Sequence, residues 1–267
     1  MQRPPTAAPL LCARTVWIEL LSGIAVVLLG LPGPQAHAVE LITPFTGARG
    51  DEPPEPWQVR GFPGSNKPLS LFDVVTIDGH RALRVRADKS YGNLQHDLPA
   101  IRIGPGTTLN LRWRLDKGLS SADLRQKSGD DVAIRVCALF DMPSDTLGFF
   151  ERTFLFAARR ISDQYVPAAT LCYVWDDKLP VGTQLPNAFT RRVRYIVLDS
   201  SGSALQTWIE HERDLVKDFL SAFGDESATV PPLIGLLVGA DADNTEDSSL
   251  AYVRNLGLRL TAPTNTP

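Results

Sequence analysis

The sequence has few of the residues that mark metal, redox and nucleic-acid chemistry. It holds 3 cysteines and 4 histidines in 267 residues, and none of them stand at the spacing of a thiolate or imidazole metal site. Its basic residues are scattered. The one cluster, Arg191, Arg192 and Arg194, opens an apolar strand and reads as a solvated strand edge, so nothing suggests nucleic acid. No uncharged apolar run reaches the roughly 20 residues of a membrane-spanning helix. Phosphate-loop and hydrolase-elbow patterns are missing too: GPGTT lacks the Lys, and GSA around Ser203 lacks the second Gly. HERD, His211 to Asp214, has Leu215 where a zinc-protease helix needs its second His.

What is present begins with an export signal. Arg3 and Arg14 precede an uncharged stretch from Leu20 to Leu31, and Ala36-His37-Ala38 follows, which fits cleavage after Ala38. Residues 1–38 are therefore expected to be a signal peptide. The mature protein is expected to be periplasmic or secreted and free of the membrane. Removing Arg3, Arg14 and Glu19 takes the formal charge from -3 to about -4. Cys12 lies ahead of the apolar stretch, on the wrong side for a lipid-bearing cysteine. Two cysteines remain, Cys137 in AIRVCALF and Cys172 in TLCYVW. An oxidising compartment permits a bridge and buried free cysteine is common, so the sequence leaves Cys137 and Cys172 either paired or free.

Beyond the signal, residues 39–68 are rich in Pro and Gly and read as an irregular segment that wraps the domain; residues 261–267 read as a polar tail. Between them, 69–260 reads as a single domain of short strands. LFDVVTI and ALRVRA flank Asp78-Gly79, a hairpin by both alternation and turn chemistry. In TLNLRWRL, Leu109, Leu111, Trp113 and Leu115 oppose Asn110, Arg112 and Arg114. YGNLQHDL, DVAIRVCALF, LCYVW, VRYIVL, LIGLLVG and AYVRNLGLRL add further strands. In WIEHERDLVKDFLSAFGDE the apolar residues recur at spacings of three and four, which predicts one peripheral helix at about 209–223. This pattern is all-β, an antiparallel β-sandwich, jelly-roll-like at this length.

Two places offer ligand chemistry. The run GADADNTEDSS departs from the EF-hand pattern at Thr245, Glu246 and Tyr252, yet Asp241, Asp243 and Asn244 could offer oxygens to calcium, with Asp241 and Asp243 as the metal ligands. The competing reading is a polar turn whose acidic side chains bond within their own loop. The second place is Tyr173, Trp175, Asp176 and Asp177, where aromatic platforms beside carboxylates suit a sugar ring and its hydroxyls; the alternative for the two aromatics is core packing. No other cofactor is indicated, and the oligomeric state is not legible.

The stretch YVWDDKLPVGTQLPNAFTRRVRYIVL, followed by Trp208, by Glu212-Arg213-Asp214, by Phe223-Gly224 and by DADNT, resembles an uncharacterised bacterial exported family catalogued as domain of unknown function 3047. The resemblance runs from about Phe72 to Leu260. It falls on Tyr173, Trp175, Pro180, Gly182 and Trp208, on Asp218, and on Asp241, Asp243, Asn244 and Thr245. Glu246 stands where Gly is expected after DNT. The resemblance implies a secreted or periplasmic β-sandwich similar to carbohydrate-binding jelly rolls, with no activity attached. Three functions follow as expectations: a non-catalytic exported protein binding a glycan or another polar envelope ligand, a carbohydrate-active hydrolase or lyase using paired carboxylates, or a structural or assembly protein of the envelope.

Overall fold

The computed structural model describes residues 41–62, 64–144, 147–161 and 166–261. The expected signal peptide and all but the first residue of the tail lie outside the described residues. The chain from Val39 onward is one compact unit.

Among the described residues twelve strands make two sheets. The seven-stranded sheet runs in the order β1 (Gln58–Arg60), β4 (Tyr91–Ile101), β11 (Leu233–Asp241), β6 (Val132–Phe140), β7 (Ala169–Trp175), β9 (Val193–Asp199), β8 (Gln184–Pro186). The five-stranded sheet runs β10 (Ile209–Asp214), β5 (Thr108–Lys117), β12 (Ser248–Arg259), β3 (His80–Asp88), β2 (Leu71–Ile77). The pairings between these strands are antiparallel except β7 with β9. The chain changes sheet repeatedly, at β1–β2, β3–β4, β4–β5, β5–β6, β9–β10, β10–β11 and β11–β12, as in a jelly roll. Asp78 and Gly79 both take positive φ, 50° and 76°, the backbone that a two-residue turn between twisted strands requires.

Alternation sets what lies inside. Leu109, Leu111, Trp113 and Leu115 of β5 face Ile134, Val136, Ala138 and Phe140 of β6 and Leu171, Tyr173 and Trp175 of β7 in one core. Tyr173 is 0% and Trp175 2% exposed. The Trp113 and Trp175 rings are 6.3 Å apart, and Trp113 Nε1 donates to Asp199 Oδ2 at 2.7 Å.

The helix expected at 209–223 is shorter. Ile209–Asp214 is strand β10, paired with β5, and α2 spans only Leu215–Phe223. Ile209, His211 and Arg213 alternate with Glu210 and Glu212, a period of two that edge pairing selects over the helical reading. Asp214 caps the helix by accepting from Lys217 N at 3.0 Å. A second helix, α1 (Phe149–Ile161), was not expected. Arg192 and Arg194 are not a solvated edge either: both are buried and pair with Glu226, and Arg194 also meets Asp225 just past α2. Among the described residues no helix is long and apolar enough to cross a membrane.

The segment before the sandwich wraps it and contributes β1. Ile42, Phe45 and Trp57 are buried in the core, and Trp57 Nε1 donates to Thr43 O at 2.8 Å. Thr43 N–H donates to His96 Nε2 at 3.2 Å, so that nitrogen is unprotonated and Nδ1–H faces Asp97 O at 3.1 Å. Burial lowers the His96 pKa below its usual 6.5. A lowered folded-state pKa gives stability that is complete above the unfolded value and lost as pH falls through the folded one. Amide exchange at Thr43 is therefore expected to accelerate, beyond its intrinsic change, as pH falls below the ordinary imidazole value of 6.5, and His96→Phe is expected to remove that step.

Cys137 and Cys172 face each other on β6 and β7 and form a disulfide, which resolves the question the sequence left open. Thiol titration of the denatured 267-residue chain should find a single thiol, Cys12. Reduction of the bridge, which closes a loop of sequence separation 35, should lower stability by about 4 kcal/mol in a denaturant titration.

Candidate functional site

The seven-stranded sheet is covered on both faces. Residues of β4, β6, β7, β9 and β11 that alternate with the core residues point the other way, and a second apolar cluster built on Cys137, Leu139, Cys172, Val197 and Leu237 lies there. A cleft of about 990 Å³ opens over this outer face. Its apolar floor includes the disulfide, Leu139 and Leu237; Gly61, Phe62 and Gly64 to Lys67 form one wall, and Asn187, Phe189, Thr190 and Arg192 another. Phe62 and Phe189 stand exposed at the rim, 56% and 57% accessible.

One end of the cleft is polar. Arg135, alternating outward between the core residues Ile134 and Val136, donates from Nε and a terminal nitrogen to Asn93 Oδ1 at 3.2 and 3.0 Å. Its guanidinium lies 5.0 Å from the Tyr91 ring centre, and another nitrogen is 3.7 Å from Asp241 Oδ2. Asp130 accepts from Asn187 Nδ2, which also donates to Tyr195 Oη at 3.0 Å. Burial raises the carboxyl pKa of Asp130 and pushes that of Asp241 up to about 8; Arg135 opposes the shift at Asp241, while Asp131 and Asp243 add to it. Burial likewise raises the Tyr195 hydroxyl. One oxygen each of Asp130 and Asp241 is buried without a hydrogen-bond partner.

The loop after β11 is held from outside itself. Asp131 accepts from Asn244 N at 3.1 Å, Thr245 N at 2.7 Å and Thr245 Oγ1 at 2.5 Å. Asn244 Nδ2 donates to Asp130 O at 3.2 Å, and Lys67 forms an ion pair with Asp243. The expectation that this loop bonds only to itself is thus corrected. Asp241, Asp243 and Asn244 do line the cleft.

Tyr173, Trp175, Asp176 and Asp177 do not join them. The strand alternation that turns Asp241 to the cleft turns Tyr173 and Trp175 between the sheets, so they cannot serve as a sugar platform. Tyr173 Oη instead donates to Asp218 Oδ2 at 2.8 Å, which also receives Arg213 Nε at 2.9 Å. Asp176 accepts from Lys178 N and Leu179 N and so shapes its own turn. Ser203 and His211 both bond to Asp199, at 2.7 Å each. The carboxylate lies between them, so no imidazole faces the hydroxyl and no nucleophile is built.

Asn93, Arg135, Asn187 and Tyr195 were missed as site residues, and Asp130 was legible only as one of several carboxylates available to the catalytic reading. The signal was available for Arg135, a charge inside an otherwise apolar, doubly buried strand.

The chain belongs to the family described as protein of unknown function (DUF3047), whose model matches residues 55–257. None of the curated proteins matches it in sequence. Similar solved structures include the family 11 carbohydrate-binding module from Clostridium thermocellum in complex with a beta-1,3-1,4-mixed-linked tetrasaccharide, at 11% identity and a TM-score of 0.38, covering 84% of this chain and 96% of that one. Another is the endoglucanase cel12A from Rhodothermus marinus, at 10% identity and a TM-score of 0.40, covering 77% and 96%. Likenesses this remote carry no argument about the ligand or chemistry of this chain.

Gly239 of β11 is where the polar end is most crowded. A Cβ there would lie 2.3 Å from Asn93 Oδ1 and 2.8 Å from Arg135 Nε. Gly239→Ala should displace that pair and cost about 2 kcal/mol or more in a denaturation titration. Asp131→Ala, which strands the three donors of the loop, should cost about 3 kcal/mol.

Proposed function

We propose that this protein binds a glycan or a similarly polyhydroxylated polar ligand in the cleft on the outer face of the seven-stranded sheet, acting in the periplasm or as a secreted protein. The observation that carries the reading is the convergence of Asn93, Asp130, Arg135 and Asp241 at one end of a cleft with an apolar floor. Amides, guanidinium and carboxylates give sugar hydroxyls paired donors and acceptors, and the floor takes the apolar faces of the rings. Phe62 and Phe189 supply the exposed rings that Tyr173 and Trp175 do not. The export pattern of residues 1–38 supports the compartment.

A glycan array probed with the chain from Val39 tests this. Binding to at least one polysaccharide is expected, and Phe62→Ala and Phe189→Ala should each weaken it by about tenfold, the loss of one ring contact of roughly 1 kcal/mol or more. Absence of binding to every polysaccharide would overturn the reading and favour a structural or assembly role in the envelope.

A catalytic reading, hydrolase or lyase, has one observation in its favour: Asp130 and Asp241 are two buried carboxyl groups in one cleft, each with an oxygen that no donor satisfies. Release of reducing ends or of unsaturated sugar from the bound glycan, abolished in the Asp130→Asn/Asp241→Asn double variant, would establish it. Binding without turnover leaves the non-catalytic reading in place.

A further inference from the structure

We propose that Asp131, Asp241 and Asp243 form a site for a hard divalent cation of the calcium type, at a position that the Lys67 ammonium now neutralises. The proposal does not depend on the glycan reading.

The geometry of the three carboxylates is the first argument. One oxygen from each lies within 4.8 Å of the other two. Calcium holds oxygens at roughly 2.3–2.6 Å, so ligands on opposite sides of the ion stand about 5 Å apart and neighbouring ones closer. The three therefore fit around one ion without rebuilding the strand or the loop. Asp131 keeps capacity for it: an ionised carboxylate offers about four lone-pair sites, and the loop uses three.

The second argument is independent of clustering. Asp241 is 7% exposed, and its Oδ1 has no hydrogen-bond partner. The nearby Arg135 does not supply one, because its nitrogen is 3.7 Å from the other oxygen, Oδ2, and its bonds go to Asn93. A buried acceptor left without a donor is costly, and a cation entering from the cleft relieves it.

Lys67 shows that positive charge is accepted at this place. It belongs to the cleft wall, it pairs with Asp243, and its side chain is 51% exposed. A flexible, half-exposed ammonium can swing into solvent when an ion takes its place, with no change in the sandwich. Water and backbone carbonyls complete a flexible calcium shell readily, whereas magnesium demands shorter, near-octahedral coordination and gives up its waters reluctantly.

Calorimetric titration of CaCl2 into the chelator-treated chain, with no glycan present, tests the site. One ion per chain is expected, with MgCl2 binding more weakly. Asp241→Asn should weaken calcium on the order of a hundredfold, and Lys67→Met, which removes the competing charge, should tighten it about tenfold. Asp243→Asn, in the loop rather than in the buried strand, serves as the second ligand variant should Asp241→Asn fail to fold; it too should weaken binding at least about tenfold. No calcium heat and no thermal shift in either the wild-type chain or Lys67→Met would overturn the proposal. So would calcium affinity unchanged by a folded ligand variant, or weakened by Lys67→Met.

Discussion

The pleat of the seven-stranded sheet, covered on both faces, is the constraint on which the rest depends. Side chains of β6 alternate between the sandwich core and the cleft floor, and on both sides they are buried. Apolar residues satisfy this on both sides. A polar residue on the cleft side must find its partners within the protein, or hold an unsatisfied group at a cost of roughly 1–3 kcal/mol. Arg135 meets that demand by hydrogen bonds to Asn93 of β4, with the Asp241 carboxylate of β11 3.7 Å away as counter-charge, across strands that the register places side by side. Asp130 meets half of it through Asn187. The polar end of the cleft is thus a product of sheet geometry, and its unsatisfied oxygens mark where the protein's own donors run out.

Much of the sandwich was legible because alternation survives without knowledge of partners. The hairpin at Asp78-Gly79 and the strands around Leu109 to Leu115 and Ile134 to Phe140 follow from period and turn chemistry alone. IEHERD misled because a helix directly follows it and shares its apolar spacing; only pairing with β5 separates the two readings. The site divides in the same way. Asp241, Asp243 and Asn244 stand out locally, as acidic and amide residues crowded into a turn. Their partners do not, because Asn93 and Arg135 come from distant strands joined by register, Asp131 comes from the segment that leads into β6, and register is a tertiary property. Tyr173 and Trp175 lie on strand β7, and local composition cannot say which side of the sheet a strand turns to the core. Here the two aromatics went inward, and Cys172 and Val174, which alternate with them, went outward.

The loop after β11 combines stiffness with access. Asp131 fixes its backbone from the segment before β6, so the turn does not depend on its own side chains for shape. That leaves Asp243 free to meet Lys67 and Asp241 free to face the cleft. A loop that had to use those carboxylates to hold its own turn would have none to present.

Lys67, Phe62 and β1 all precede the first strand of the five-stranded sheet, and Ile42 and Phe45, which precede the family match as well, fill the core. The amino-terminal border of this domain is therefore drawn by what faces the cleft and what seals the sandwich, not by where the sandwich strands begin. A chain trimmed to start at Leu71 would retain both main sheets short of one edge strand. It would also be missing a wall, a rim and a charge, so its silence in a binding assay would say nothing about the intact protein.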